Sequence, residues 1–141
     1  MKKTFTKSIS IVLLLIFAVF FASCNAEEQT DIWADAAYTE DAEFGDGAKT
    51  VTVEIKAEEN SVVFTIHTDK DTVGAALLEH ELIAGEDGPY GLYVKEVNGI
   101  VADFDINQSY WAFYIDGETA MTGVDTTKIT ENQTYQLVYT K

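Results

Sequence analysis

The chain has 141 residues and carries 24 acidic side chains against nine basic ones, for a formal net charge of −15. That length holds one domain with attachments. The charge balance, with no arginine at all, excludes recognition of a phosphate backbone, which needs clustered Lys and Arg, so no nucleic acid is expected as a partner. It also disfavours close adhesion of the domain to an anionic bilayer, leaving a solvated acidic face, cation binding or attraction to basic partners.

The first 24 residues read as an address. Lys2, Lys3 and Lys7 form a positive N-terminal region, and Ile11 to Phe21 is an unbroken apolar run. A helix of that length reaches only about 16 Å, too short for a permanent span, so residues 1–23 are expected to be an export signal. The segment ends Phe21-Ala22-Ser23-Cys24, which resembles a bacterial lipobox with phenylalanine where leucine is usual. The resemblance implies that Cys24 is lipidated and becomes the mature N-terminus. Lipidation would also account for a lone cysteine in an exported chain. The expected location is the bacterial cell envelope, outside the cytoplasm, with the membrane engaged through the lipid.

Residues 24–48 are expected to be a tether. Eight of them are acidic and none is lysine. Trp33, Tyr38 and Phe44 are unusual in a linker, so the stretch after about Thr30 is expected to lie against the domain edge, with a short helix over Ile32–Ala37 as one option. The domain itself is placed at 49–141. Val51, Val53 and Ile55 alternate with Thr52, Glu54 and Lys56, the period of a half-buried strand. Val62, Phe64 and Ile66 start a second strand, and Glu58-Glu59-Asn60-Ser61 between them makes a hairpin. Asp71 or Thr72 can cap a helix whose apolar face holds Val73, Ala76, Leu77 and Leu78. Gly85 and Gly88-Pro89 are expected to stop it. Strands are then expected near 91–97, 100–104, 110–115, 118–121 and 134–140, with Asn98-Gly99 and Asp116-Gly117 as type I′ hairpin turns. This order predicts an α+β domain, β-grasp-like, with hairpins in a mixed or antiparallel sheet and one packed helix.

Catalytic signals are thin. There is no Gly-rich phosphate loop and no nucleophile-elbow serine. His67 falls on a strand, and His80 falls on the helix face of Val73 and Ile83 as a packing residue without catalytic partners, so no enzyme is expected. Asp103, Asp105 and Asn107 alternate along an expected strand end, placing three oxygen ligands on one side. They begin like a calcium loop, but Gln108 stands where glycine belongs and Tyr114 where the bidentate glutamate belongs. A weak divalent-cation site completed by Asp116 or Asp125 remains an alternative. On the strand 110–115, Trp111, Phe113 and Ile115 point one way and Tyr110, Ala112 and Tyr114 the other. One set should pack on the helix, and the other could join Tyr93 or Tyr139 in an exposed stripe that holds a flat ligand. The candidate ligand-binding residues are therefore Tyr93, Tyr110, Trp111, Tyr114 and Tyr139.

Glu96-Val97-Asn98-Gly99-Ile100, Tyr110-Trp111-x-Phe113, Gly117 and Gly123-Val124 resemble, in the same order, the motifs of the transcobalamin-like C-terminal domain. That small β-rich domain closes over cobalamin in transcobalamin and intrinsic factor, and similar domains occur in bacterial surface lipoproteins. The resemblance covers about 50–141 and is strongest from 91 onward. It implies a binding domain whose ligand is a cobalamin-type corrinoid held together with a partner protein of the envelope, because in those carriers a large helical barrel supplies the other side of the site. A cation-binding surface domain and a protein- or glycan-recognition module are the alternatives.

Overall fold

The computed structural model describes residues 30–141, and residues 31–141 form one compact unit. The expected export signal, Cys24 and the start of the tether lie outside the described residues. The chain runs through a 3-10 turn Ile32–Asp35, β1 Ala42–Gly45, β2 Lys49–Ala57, β3 Asn60–Thr68, α1 Val73–Glu79, β4 Ile83–Gly88, β5 Gly91–Val97, β6 Ile100–Val101, α2 Phe104–Asn107, β7 Tyr110–Ile115, β8 Glu118–Thr119 and β9 Thr134–Thr140. Six strands form a sheet in the order β1-β3-β2-β9-β7-β8, and three form a second sheet, β4-β5-β6. The larger sheet is mixed: β1 is parallel to β3 and β2 to β9, whereas the β2–β3 and β7–β9 pairs are antiparallel. This is the expected α+β architecture with one main helix.

The strand alternation read from the sequence sets which face is buried. Val51, Val53, Ile55 and Ala57 of β2 face inward, as do Val62, Phe64 and Ile66 of β3 and Tyr135 and Leu137 of β9. They share one core with Val73, Ala76 and Leu77 of α1 and with Ile83, Val94, Val97 and Ile100 of the small sheet. Each such side chain contributes about 1.5–3 kcal/mol when buried. The Thr72 hydroxyl accepts from the Ala75 N–H at 3.2 Å and starts α1. The helix ends at Glu79, earlier than the glycines suggest. Glu81 takes a left-handed conformation, φ +56°, while its N–H donates to Leu78 O and the Leu82 N–H reaches back to Leu77 O at 3.0 Å. These two bonds are a Schellman closure with glutamate in the position glycine usually fills. Leu78, expected on the apolar face, points to solvent instead.

The stretch after Thr30 lies against the domain edge as expected: Trp33 is buried, its indole N–H donates to Ala57 O at 2.8 Å, and β1 adds a parallel edge strand to β3. Tyr38, Phe44 and Phe64 complete this junction with edge-on ring contacts at centroid distances of 5.2–5.6 Å. Gly85 does not stop a helix. It lies in β4 beside a register shift and passes so close to β5 that a Cβ would stand 2.0 Å from Tyr93 O. The strand expected at 100–104 ends after two residues because Asp103 caps a single helical turn, and β8 likewise ends at Thr119.

Both expected hairpin turns form. Asn98 and Gly99 have φ of +53° and +79°, and Asp116 and Gly117 have +51° and +82°, as a type I′ turn requires. Asn98 does more than turn the chain. Its buried side-chain amide accepts from the Tyr38 N–H at 2.9 Å and donates to Tyr38 O at 2.8 Å, tying the N-terminal segment to the small sheet.

Candidate functional site

Period-two alternation places a second set of side chains on the outer face of the large sheet, which no helix or strand covers among the described residues. From β2 these are Thr50, Thr52, Glu54 and Lys56, and from β3 Val63, Thr65 and His67. From β9 they are Thr134, Gln136 and Val138, and from β7 Tyr110, Ala112 and Tyr114. The middle strands carry short side chains, and the face is correspondingly hollow there. One concavity of about 490 Å³ lies over Thr52, Glu54, Val63, Thr134 and Gln136. A second, of about 420 Å³, lies over Thr50, Thr52, Asn132, Gln133 and Thr134. They share Thr52 and Thr134, which are cross-strand partners on the parallel β2–β9 pair, so the two hollows are continuous. Gln136 donates from Nε2 to Glu54 Oε2 at 2.5 Å, which orients that carboxylate.

The tyrosine stripe is split by register. Tyr110 pairs with Thr140 and Tyr114 with Gln136, so both tyrosines face outward. Tyr139 pairs with Trp111 and shares its inner face, with the two rings edge-on at 5.6 Å. Trp111 is buried and its indole N–H donates to Ile100 O at 3.2 Å. Its role is to pin β6 to β7, and it is not available to a ligand on the open face. Tyr93 belongs to the small sheet, where the Lys95 ammonium lies 6.0 Å from its ring centroid and 3.1 Å from Glu86. The hydrogen bond to Glu86 holds the Lys95 pKa above its ordinary value. Of the five expected aromatics, only Tyr110 and Tyr114 share an exposed surface. The sequence reading missed the groove floor near Tyr114, although the Thr50, Thr52 and Thr134 positions carried the signal on the polar phase of their strands.

The structure also relocates the oxygen ligands. Asp103, Asp105 and Asn107 lie on the helical turn α2 and its cap, not along a strand, so the expected period of two does not align them. Asp103 accepts from the Asp105 N–H at 2.9 Å, and Asn107 Oδ1 accepts from the N–H and hydroxyl of Ser109. Asp116 is occupied by the Thr134 N–H at 2.9 Å. Asp125 accepts from the Leu92 N–H through Oδ2, and its Oδ1 is buried beside Gly91 and Gly123 without a partner among the described residues. Among the described residues, no three His, Cys, Asp or Glu side chains are arranged to hold a metal ion. The histidines do not fit a cobalt ligand. His67 is engaged by Thr50 and Glu43 through its two nitrogens, and the His80 Nε2 is buried against the Gly45 backbone with Phe44 packed on the ring.

Comparison with known proteins places this geometry. No curated protein matches the chain. A presumed metal-binding protein from Ruminococcus gnavus, solved as a crystal structure, is 30% identical with a TM-score of 0.62. The match covers 66% of this chain and 97% of that one. Haptocorrin in complex with Cbi aligns at 12% identity with a TM-score of 0.53, covering 69% of this chain and 26% of haptocorrin. That likeness is one of fold, and the chain spans about a quarter of haptocorrin's length. The family described as a domain of unknown function, DUF4430, matches residues 70–141, from just before α1 to the last strand. The chain belongs to that DUF4430 family, and its fold is that of a transcobalamin-like C-terminal domain.

Proposed function

We propose that the protein is a lipid-anchored binding domain of the bacterial cell envelope that contributes one wall of a ligand site, with a partner protein supplying the other. The observation that carries this reading is the open outer face of the large sheet, on which Tyr110 is exposed and Tyr114 half-buried, with Tyr114 across from Gln136 at the edge of a hollow. Tyrosine suits such a surface, since it offers a flat apolar body and a polar end. The likeness to haptocorrin, a protein solved with Cbi, supports a corrinoid as the ligand. The signal-like N-terminus with its single cysteine supports export and anchoring at Cys24. With no histidine disposed toward cobalt, the domain would hold a corrinoid by its faces and edges.

Isothermal titration of cyanocobalamin and cobinamide into the full chain in detergent micelles tests this. Saturable binding is expected, weakened about ten-fold in the Tyr110→Ser/Tyr114→Ser double variant with the melting temperature preserved. Absence of binding heat for both corrinoids sinks autonomous corrinoid binding, and loss of folding in the double variant sinks the exposed-tyrosine wall. The Ruminococcus relative favours divalent-cation binding as a second reading. For that reading, the partnerless Asp125 Oδ1 is the oxygen to watch. A calcium- or zinc-dependent rise in melting temperature that disappears in Asp125→Asn would support it over the corrinoid.

A further inference from the structure

The paired hollows on the outer face define a groove with its own chemistry, apart from any corrinoid. Its floor is Thr50, Thr52 and Thr134, and its ends carry Glu54 with Gln136 on one side and Asn132 with Gln133 on the other. Among the described residues no lysine or histidine lines it, His67 reaching only the Thr50 hydroxyl at one end at 3.0 Å, and Glu54 and Glu131 are its charged members. A phosphate, sulfate or carboxylate ligand would find no counter-charge there and two like charges. A wholly apolar ligand would strip water from hydroxyls, amides and carboxylates without replacing their hydrogen bonds. The ligand that fits presents both donors and acceptors, because threonine hydroxyls and primary amides offer both. It must also present apolar C–H faces, because Val63 and the threonine methyl groups lie on the same floor.

A pyranose ring has this composition, with hydroxyls around its edge and C–H bonds on its faces. Tyr114 stands across from Gln136 on the neighbouring strand, and Tyr110 follows roughly 13 Å along β7 at the strand rise. Only Tyr114 borders the groove, where its phenol can form an aromatic side wall against which a ring stacks, whereas Tyr110 lies at the far end of β7 opposite Thr140. The groove is open and extends across both hollows, so it suits several linked sugars rather than one enclosed monosaccharide. The Thr52 hydroxyl and the Asn132 amide make no hydrogen bond within the protein among the described residues, which leaves them to a ligand. We infer that the β2–β9 groove binds a neutral oligosaccharide, with Thr52 and Asn132 reading hydroxyls and Tyr114 at its edge flanking the rings.

The test uses the isotopically labelled full chain carrying Cys24→Ser, in detergent micelles. It is titrated with cellohexaose, xylohexaose, mannohexaose and chitohexaose, with an oligogalacturonate as the anionic control and a neutral Gly/Ser hexapeptide as the peptide control. At least one neutral hexasaccharide is expected to shift the amide resonances of Thr52, Thr134 and Gln136 in a saturable way, with the oligogalacturonate and the peptide inert. Thr52→Trp fills the groove from a solvent-facing position on a central strand. It is expected to weaken sugar binding about ten-fold or more at an unchanged melting temperature, and Thr134→Trp to do the same. The inference is overturned if no neutral hexasaccharide shifts these resonances. It is also overturned if the peptide or the oligogalacturonate binds in preference, or if a folded Thr52→Trp variant binds sugar as tightly as the parent. Cyanocobalamin titrated into the same samples is a separate readout, so failure of either ligand leaves the other reading standing.

Discussion

The two faces of the six-stranded sheet are built by the same strands from alternate residues, yet they obey different rules. The inner face is Val, Ile, Phe, Leu and Trp packed against α1 and the small sheet, with Val53, Ile55, Phe64 and Ile66 fully buried. The outer face is Thr, Glu, Gln and Tyr and carries the groove. On the inner face a side chain is chosen for the volume it fills. On the outer face the fold makes few demands, so its composition is free to follow a ligand. The contrast shows where to look for function in this domain: on the phase of the strands that packing does not need.

The comparison can be broken most directly at Phe64. It is fully buried and contacts the rings of Tyr38 and Phe44 edge-on. Phe64→Ala is expected to cost about 3–5 kcal/mol, read by urea denaturation, and a loss below about 1 kcal/mol would show that the inner face is not the main core. A finer cut exchanges near-isosteres one residue apart on β2. Val53→Thr puts a hydroxyl into the core and is expected to cost about 1–3 kcal/mol. Thr52→Val, on the outer face, should stay within about 0.5 kcal/mol of the parent. Equal losses for the two would erase the distinction between the faces.

The smallest effect is expected at the rim, where neither face governs. Lys49 Nζ lies 2.5 Å from an Asp71 carboxylate oxygen, and that hydrogen bond holds the Asp71 pKa below its ordinary value of 3.8. A depressed carboxyl pKa gives stability that is complete above the unfolded value and is lost as pH falls through the folded one. Asp71→Asn should therefore leave the melting temperature almost unchanged at neutral pH, since exposed ion pairs contribute little. It should also flatten slightly the acid side of the stability curve below about pH 4. A clear destabilisation at neutral pH would mean that this pair is part of the structural frame.

Much of the fold was legible because local rules and packing agree in this chain. The β2–β3 alternation, the Thr72 cap and both type I′ turns needed only short-range chemistry. The misreadings fall where a distant contact overrides local preference. Glu81 ends α1 in a conformation that usually calls for glycine, because Leu82 is drawn into the core beside Leu77. Gly85, read as a helix stop, is where β4 must pass close to Tyr93.

The candidate site was legible only in halves. That Tyr110 and Tyr114 share one side of β7 and Trp111 the other follows from the two-residue period of a strand. Which side meets water, and whether Tyr139 joins it, depends on the β7–β9 register, which the sequence of neither strand contains alone. The sequence by itself determined the alternation, the turns, the helix start and the acidity. The tertiary structure alone decided that Asp103 caps a helical turn ending at Asn107, that Trp111 belongs to the core, and that threonines from β2 and β9 meet to floor a groove. The reason is physical: periodicity is set by each residue's own backbone, whereas a site is set by which strands pair and in what register, and those pairings are chosen by the core on the opposite face.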